Sequence, residues 1–152
     1  MMFDYLKRLH WKPIILSGFV FAIIAMVVHM VESVLTMSYY LMPAYFGTWS
    51  KVMMPTAGPP PVSFYVYSSV ASFLGGILFA ELYDLIKSQL GATYWQRVCI
   101  FTKYLVLLEL VIFILPLWLF VNLPLGIIVS WFVSGALIAF LGTMVFAKMM
   151  KK

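Results

Sequence analysis

The hydrophobic residues of this chain form four long runs, separated by short segments that hold most of the charged residues and prolines. The runs extend over about residues 13–41, 62–86, 98–121 and 125–147. Each run meets or exceeds the roughly 20 residues that an α-helix needs to cross a hydrocarbon core of about 30 Å. The pattern predicts an all-α polytopic membrane protein, folded as a four-transmembrane-helix bundle in a single domain over residues 1–152.

The first connection between these runs, residues 42–61, is too long and too apolar for a simple turn. Its larger apolar residues recur with helical period and predict a short amphipathic helix in the outer membrane interface. The residues that would form its apolar or partner-docking surface are Tyr45, Phe46, Trp49 and Met53. The Gly-Pro-Pro-Pro sequence at 58–61 then ends the helix, because consecutive prolines favour an extended backbone. The segment is interpreted as a strap that orients the first two spans, with a lid or a docking surface as alternatives.

The basic residues lie almost entirely on one side of the predicted membrane. Lys51 is the exception among the ten, since the others precede the first run, flank the second connection or end the chain. Lys and Arg are retained in the cytoplasm during insertion, so the pattern predicts that both termini are cytoplasmic. The net charge of +5 is confined to membrane ends, which argues against nucleic-acid binding and favours contact with anionic lipids of the inner leaflet.

Small residues recur at every fourth position in the second and fourth runs. Small side chains let helix backbones approach closely in a bilayer, where lipid competes equally well for large apolar residues. The predicted helix-packing face consists of Ser68, Ser72, Gly76 and Ala80 in the second run and Gly126, Ser130 and Ser134 in the fourth. Packing within the chain is the first interpretation, and self-association through one face is the alternative. The short connection 122–124 predicts that the third and fourth spans are antiparallel neighbours.

Ionisable residues inside the runs are the candidates for chemistry, because a charge at the bilayer centre costs at least about 2.5–3.5 kcal/mol. The candidate buried polar or relay residues are Glu109, His29, Glu32 and Glu81. His29 and Glu32 are three residues apart and share a helical face near the outer side, which suits an outward-facing polar pocket. Glu109 lies in an otherwise apolar run. It is interpreted as a structural hydrogen-bonding group, as the partner of Lys103 in a neighbouring copy or of Glu81, or as a proton or cation relay.

Glu81 has a simpler structural interpretation together with Asp84. Both carboxylates lie near the inner end of the second run, where water and basic side chains are available. Asp84 can pair with Lys87 one helical turn further on.

The sequence predicts no metal site, no cofactor and no catalytic residue. A helical di-metal site needs several Glu and His ligands, whereas His29 and Glu32 provide one pair. His10 precedes His29 by 19 positions, about 28 Å along a helix, so the two imidazoles cannot ligate one haem. A nucleophile elbow, a phosphate-binding glycine loop and a zinc signature are all missing from the sequence.

The stretch from Met37 to Pro55, with the Gly-Pro-Pro-Pro sequence that follows it, resembles the first outer loop of small uncharacterised prokaryotic integral membrane proteins with four predicted spans. The resemblance implies the topology and a lineage, and no activity or catalytic residue. With the distribution of basic residues, it places the protein in a prokaryotic plasma (inner) membrane as an expectation.

Packing surface without recognisable chemistry favours a non-enzymatic protein. The leading interpretation is a structural or accessory subunit of a larger membrane assembly, bound to other membrane-protein subunits or to copies of itself. The first alternative is a small oligomeric proton- or cation-coupled transporter or channel that uses Glu109, with His29 and Glu32 at its outer mouth. The second is a membrane enzyme or quinone-binding subunit that uses His29.

Overall fold

The computed structural model describes residues 10–52 and 60–150, and these residues form helices joined by short turns. The helices are α1 (Trp11–Tyr40), α2 (Pro43–Val52), α3 (Val62–Ile86, followed by a 3₁₀ turn over Lys87–Gln89), α4 (Tyr94–Phe120) and α5 (Leu125–Met149). Four of them, α1, α3, α4 and α5, are long and apolar enough to cross a membrane. The predicted all-α architecture with four candidate spans is therefore confirmed, as expected for a multi-pass membrane protein.

Helix α4 begins at Tyr94, four residues before the predicted start of the third run. The hydroxyl of Thr93 accepts a hydrogen bond from the Gln96 backbone N–H, and the Gln96 side chain accepts one from the Thr93 N–H. This reciprocal capping box satisfies backbone donors that the first helical turn would otherwise leave free. The polar residues here are helical because of the cap, which a search for apolar runs does not detect.

The backbone of α4 widens in its middle. The helix is α-helical over Tyr94–Glu109, forms a π-helical turn over Leu110–Ile114, and is α-helical again over Leu115–Phe120. Pro116 explains the change, because proline has no N–H to donate and its ring clashes with the carbonyl four residues earlier in a regular α-helix. The Leu115 N–H instead bonds to the Leu110 carbonyl, five residues back.

Helix α1 is central in the bundle. It packs against α3 on one side and α5 on the other, and α5 packs in turn against α4. Gly18 and Gly76 bring α1 and α3 together, since a Cβ on Gly76 would lie 3.0 Å from the Gly18 Cα. Phe21 of α1 lies over Gly142 of α5 and stacks on Phe146 at 5.9 Å. The prediction that the third and fourth spans are neighbours is confirmed by the contact between α4 and α5.

The two ends of the bundle differ in composition. We call one the basic end (His10, Lys87, Tyr94, Met150) and the other the aromatic end (Tyr40, Trp49, Phe120, Leu125). At the basic end the Lys87 ammonium donates to the Met150 carbonyl at 3.3 Å, and the Tyr83 and Phe101 rings meet edge to face at 5.2 Å. The main core lies in this half of the molecule. The sequence predicts that the basic end faces the cytoplasm.

The predicted small-residue faces are buried only in part. In α3, Gly76 and Ala80 are buried, Ser72 is half-buried and Ser68 is exposed, so the row contacts α1 only towards the basic end. In α5, Ser134 is buried, and Ser130 and Gly126 are half-buried. A Cβ on Gly126 would lie 2.5 Å from the Tyr39 hydroxyl, so this glycine admits a tyrosine of α1.

Candidate functional site

Glu32 is a buried carboxyl that links α1 to α5. Its Oε1 accepts a hydrogen bond from the Ser130 hydroxyl at 2.7 Å, and the Thr36 hydroxyl lies 2.9 Å from the same oxygen. Thr36 also lies 2.8 Å from the Glu32 carbonyl, and its single hydroxyl proton is shared between these two acceptors. Glu32 is 8% exposed, so it acts as a hydrogen-bonded joint between two helices and does not line an open outer mouth.

His29 is not buried. It lies one helical turn from Glu32, at the edge of the packing face of α1, and its side chain is exposed on the bundle surface. The predicted shared pocket for His29 and Glu32 is therefore not formed within the chain, because Glu32 is enclosed by α5 and His29 is left outside.

An aromatic cluster closes the bundle beside Glu32. The Trp131 indole N–H donates to the Tyr40 hydroxyl at 2.9 Å, and the Trp49 ring lies 4.9 Å from Tyr40 and 5.9 Å from Trp131. Phe113 of α4 stacks on Trp131 at 6.2 Å. The cluster therefore joins α1, α2, α4 and α5 in one contact.

The predicted helix in the first outer loop is observed as α2, over Pro43–Val52. Of its predicted docking residues, Trp49 is 1% exposed and packs within the chain, so it is not available to a partner. Tyr45 and Phe46 are half-buried, and Met53 lies outside the described residues. The Trp49 indole N–H has no acceptor among the described residues. Within the described chain, α2 straps α1 to α5, and its position in the membrane interface stays a prediction.

Glu109 is a half-buried carboxyl at the point where α4 changes from α-helix to π-helix. It packs directly on Gly135 of α5, and a Cβ at that position would overlap the carboxyl group. Within the described parts of the chain, the Glu109 side chain makes no hydrogen bond and no ion pair. Gly135 therefore provides the space for this carboxyl, and no neighbouring group of the described chain satisfies it.

The position of Glu109 along the bundle follows from both helices. Glu109 is 15 residues from the start of α4, about 22 Å from the basic end, and Gly135 is 10 residues from the start of α5, about 15 Å from the aromatic end. Both values place the carboxyl near the middle of the bundle. At this depth its charged form has the largest transfer cost in a bilayer.

The acidic residues at the end of α3 lie in a different environment. Asp84 pairs with Lys87 at 2.7 Å, as the sequence predicts, and the His10 ring lies 3.2 Å from the same carboxylate. Glu81 is half-buried one turn deeper in α3. The Asp84 carboxylate links the start of α1 to the end of α3, and its structural role stays a prediction.

No three His, Cys, Asp or Glu side chains come together as metal ligands within residues 10–52 and 60–150. Comparisons with protein-family models, with curated proteins and with solved structures find no match to this chain.

Two features of the site were not predicted from the sequence. Trp131 was not singled out, although a tryptophan inside an apolar helix signals that its N–H needs an acceptor. The contact of Gly135 with Glu109 is not predictable from either helix alone, because it depends on the relative rotation of α4 and α5.

Proposed function

We propose that this chain is a non-enzymatic integral membrane protein that serves as an accessory subunit of a larger membrane assembly. The observation that carries the proposal is the incomplete burial of α3. In its most hydrophobic stretch 6% of the residues are buried within the chain, against 28%, 22% and 33% in α1, α4 and α5. From Val62 to Gly75 no residue of α3 is fully buried, and most are exposed.

The uncovered face of α3 is suited to another helix. Ser68 and Ala71 are exposed, and nothing lies within 4 Å of a Cβ built on Gly75. These residues follow one another at spacings of three and four, so they share one side of the helix. Small residues on a lipid-facing surface allow a second helix to approach at close range, whereas large apolar residues pack equally well against lipid.

The proposal includes a setting for this assembly. The basic end faces the cytoplasm of a prokaryotic plasma membrane, where its lysines and arginines contact anionic lipid headgroups. The distribution of basic residues supports this orientation.

The test is native mass spectrometry of the protein extracted gently from its own membrane, comparing wild type with Gly75→Leu. A Cβ here would meet no other part of the described chain within 4 Å, and the larger leucine side chain would fill the approach path of a partner helix. We expect a defined hetero-complex for the wild type and its loss in the variant. Ser38→Leu, which places the same side chain on an exposed position of α1, serves as the control and should keep the complex. A wild type without partner chains would contradict the proposal.

One observation favours a second candidate, a small oligomeric proton- or cation-coupled transporter. Glu109 places a carboxyl without a described partner near mid-depth, where a proton or cation site would have to lie. The test is flux in liposomes: transport by the wild type that is abolished in a folded Glu109→Gln variant would establish this function. A flux that is absent or unaffected by the substitution would eliminate it.

A further inference from the structure

A shallow apolar groove runs between α4 and α5 on the outside of the bundle, in the half towards the aromatic end. Its walls include Ile114 and Trp118 of α4 and Ile128 and Phe132 of α5. Trp118 is 57% exposed, so the groove is open to the surroundings along its length. The wall residues are all apolar, as expected for a surface that lies in the hydrocarbon region.

The groove leads towards Glu109. Phe132 and Ile128 precede Gly135 by three and seven residues and lie on the same side of α5. Ile114 follows Glu109 by five residues, which is one turn of the π-helical segment. Leu125 lines the groove at the aromatic end. Gly135 lies ten residues further along α5, a distance of about 15 Å or nearly three helical turns. The half-buried carboxyl therefore lies about one helical turn beyond the end of the groove that Ile114 and Phe132 form.

The described chain does not provide a cation for this carboxyl. The described lysines and arginine are Lys12, Lys51, Lys87, Arg97, Lys103 and Lys148. Five of them lie near helix ends, and Lys103 lies nine residues inside α4. Lys103, the nearest in sequence, is six residues before Glu109 and about 9 Å closer to the basic end. A second copy in the same orientation would place its own Lys103 at that same shallower depth, so self-association does not pair the charge.

We propose that the groove receives a transmembrane helix of a partner subunit, and that a Lys or Arg near the middle of that helix pairs with Glu109. The inference rests on the proposed accessory role and adds a second partner contact of stated chemistry, on a different face from the α3 surface. A basic side chain at this depth supplies the hydrogen-bond donors that the carboxyl lacks, and each charge offsets the cost of placing the other in the bilayer. The apolar walls contact the remainder of the helix, and Gly135 keeps the carboxyl close to the surface of α5.

The test uses the full chain in liposomes with designed helices as probes. A synthetic helix of about 21 leucines and alanines carries one lysine at its midpoint, and energy transfer from a fluorophore on Cys99 reports binding. One control peptide has glutamine in place of the lysine, and another has the lysine shifted two turns towards one end. We expect the midpoint-lysine helix to bind about tenfold more tightly than either control.

Glu109→Gln should remove this preference and leave the weaker binding of the glutamine helix unchanged. Equal binding of the three peptides to the wild type would overturn the inference without any variant, so the test stands even where Glu109→Gln fails to fold. A lysine preference that persists in folded Glu109→Gln would also overturn it.

The outcomes separate the inference from the proposed function. If the protein forms a native hetero-complex but binds the three peptides equally, the accessory role is retained and the basic partner helix is rejected. Selective binding of the lysine helix by a protein that has no native partner would reject the accessory role.

Discussion

At the scale of single residues, two of the glutamates in the candidate spans, Glu32 and Glu109, have opposite environments. Glu32 is enclosed and bonded to hydroxyls on two helices, whereas Glu109 is half-buried against a glycine and has no described donor. A carboxyl that is satisfied within the chain stabilises the fold, and one that is not satisfied is available to an outside group. This contrast, more than the presence of either residue, separates the structural glutamate from the functional candidate.

Removing the Ser130 hydroxyl should weaken the joint between α1 and α5. In Ser130→Ala the Glu32 carboxyl loses its donor from α5, and we expect the free energy of unfolding to fall by about 1–2 kcal/mol. Unfolding in mixed micelles, followed by tryptophan fluorescence, measures the change.

Ser68→Ala is the matched control for this prediction. The Ser68 hydroxyl is exposed and bonds only weakly, at 3.4 Å, to the Tyr65 carbonyl of its own helix. Its removal should change stability by less than about 0.5 kcal/mol. Equal effects of the two substitutions would show that the Glu32 to Ser130 bond contributes nothing.

At the scale of the elements, two adjacent glycines of α3 have different roles. Gly76 faces α1, and a Cβ there would lie 2.8 Å from the Phe21 Cβ and 3.0 Å from backbone atoms of Gly18. Gly75 faces away from the described chain, where the same atom would meet nothing within 4 Å. One glycine therefore sets the distance between α1 and α3, and its neighbour belongs to the face that we assign to a partner.

Alanine at these two positions tests the assignment. Gly76→Ala should lower the free energy of unfolding by about 1–3 kcal/mol, because backbone atoms of α1 cannot move aside without separating the helices. Gly75→Ala should cause no loss, since alanine also has the higher helix propensity. Thermal unfolding of the purified variants in one detergent compares them. A larger loss for Gly75→Ala than for Gly76→Ala would contradict the packing described for α3.

At the scale of the whole molecule, the surface is apolar along all four long helices. Leu35, Val62 and Phe120 are 77%, 78% and 83% exposed. In water such a surface would drive aggregation, whereas lipid tails solvate it. The charged groups that remain are concentrated at the basic end, and they determine the orientation that we predict.

Orientation can be measured with single cysteines in a Cys99→Ser background. Lys51 and Lys148 are both exposed and lie at opposite ends of the bundle. A membrane-impermeant maleimide added to intact cells should label Lys51→Cys, and Lys148→Cys should react only after lysis, because basic residues stay in the cytoplasm. The reverse pattern would invert the topology and the side of the membrane assigned to α2.

The helices and their approximate ends are predictable from the sequence alone. Length and apolarity are local properties, so four runs that can cross a bilayer are recognisable without knowing how they pack. The observed start of α4 differs from the predicted one because the Thr93 cap makes polar residues before the apolar run helical. The π-helical turn is explained by Pro116. The pairing of Asp84 with Lys87 was predictable for the same reason, since three residues separate them on one helix.

Which groups meet across helices depends on how the helices pack in three dimensions. Glu32 and Ser130 are 98 positions apart, and Glu109 meets Gly135 on a different helix. Trp49, predicted as a docking residue, is instead enclosed by Tyr40 and Trp131. Each contact depends on the rotation and depth of one helix relative to another. The relative rotation and depth of two helices are determined by how their whole surfaces pack together, and the periodicity of a single segment does not predict them.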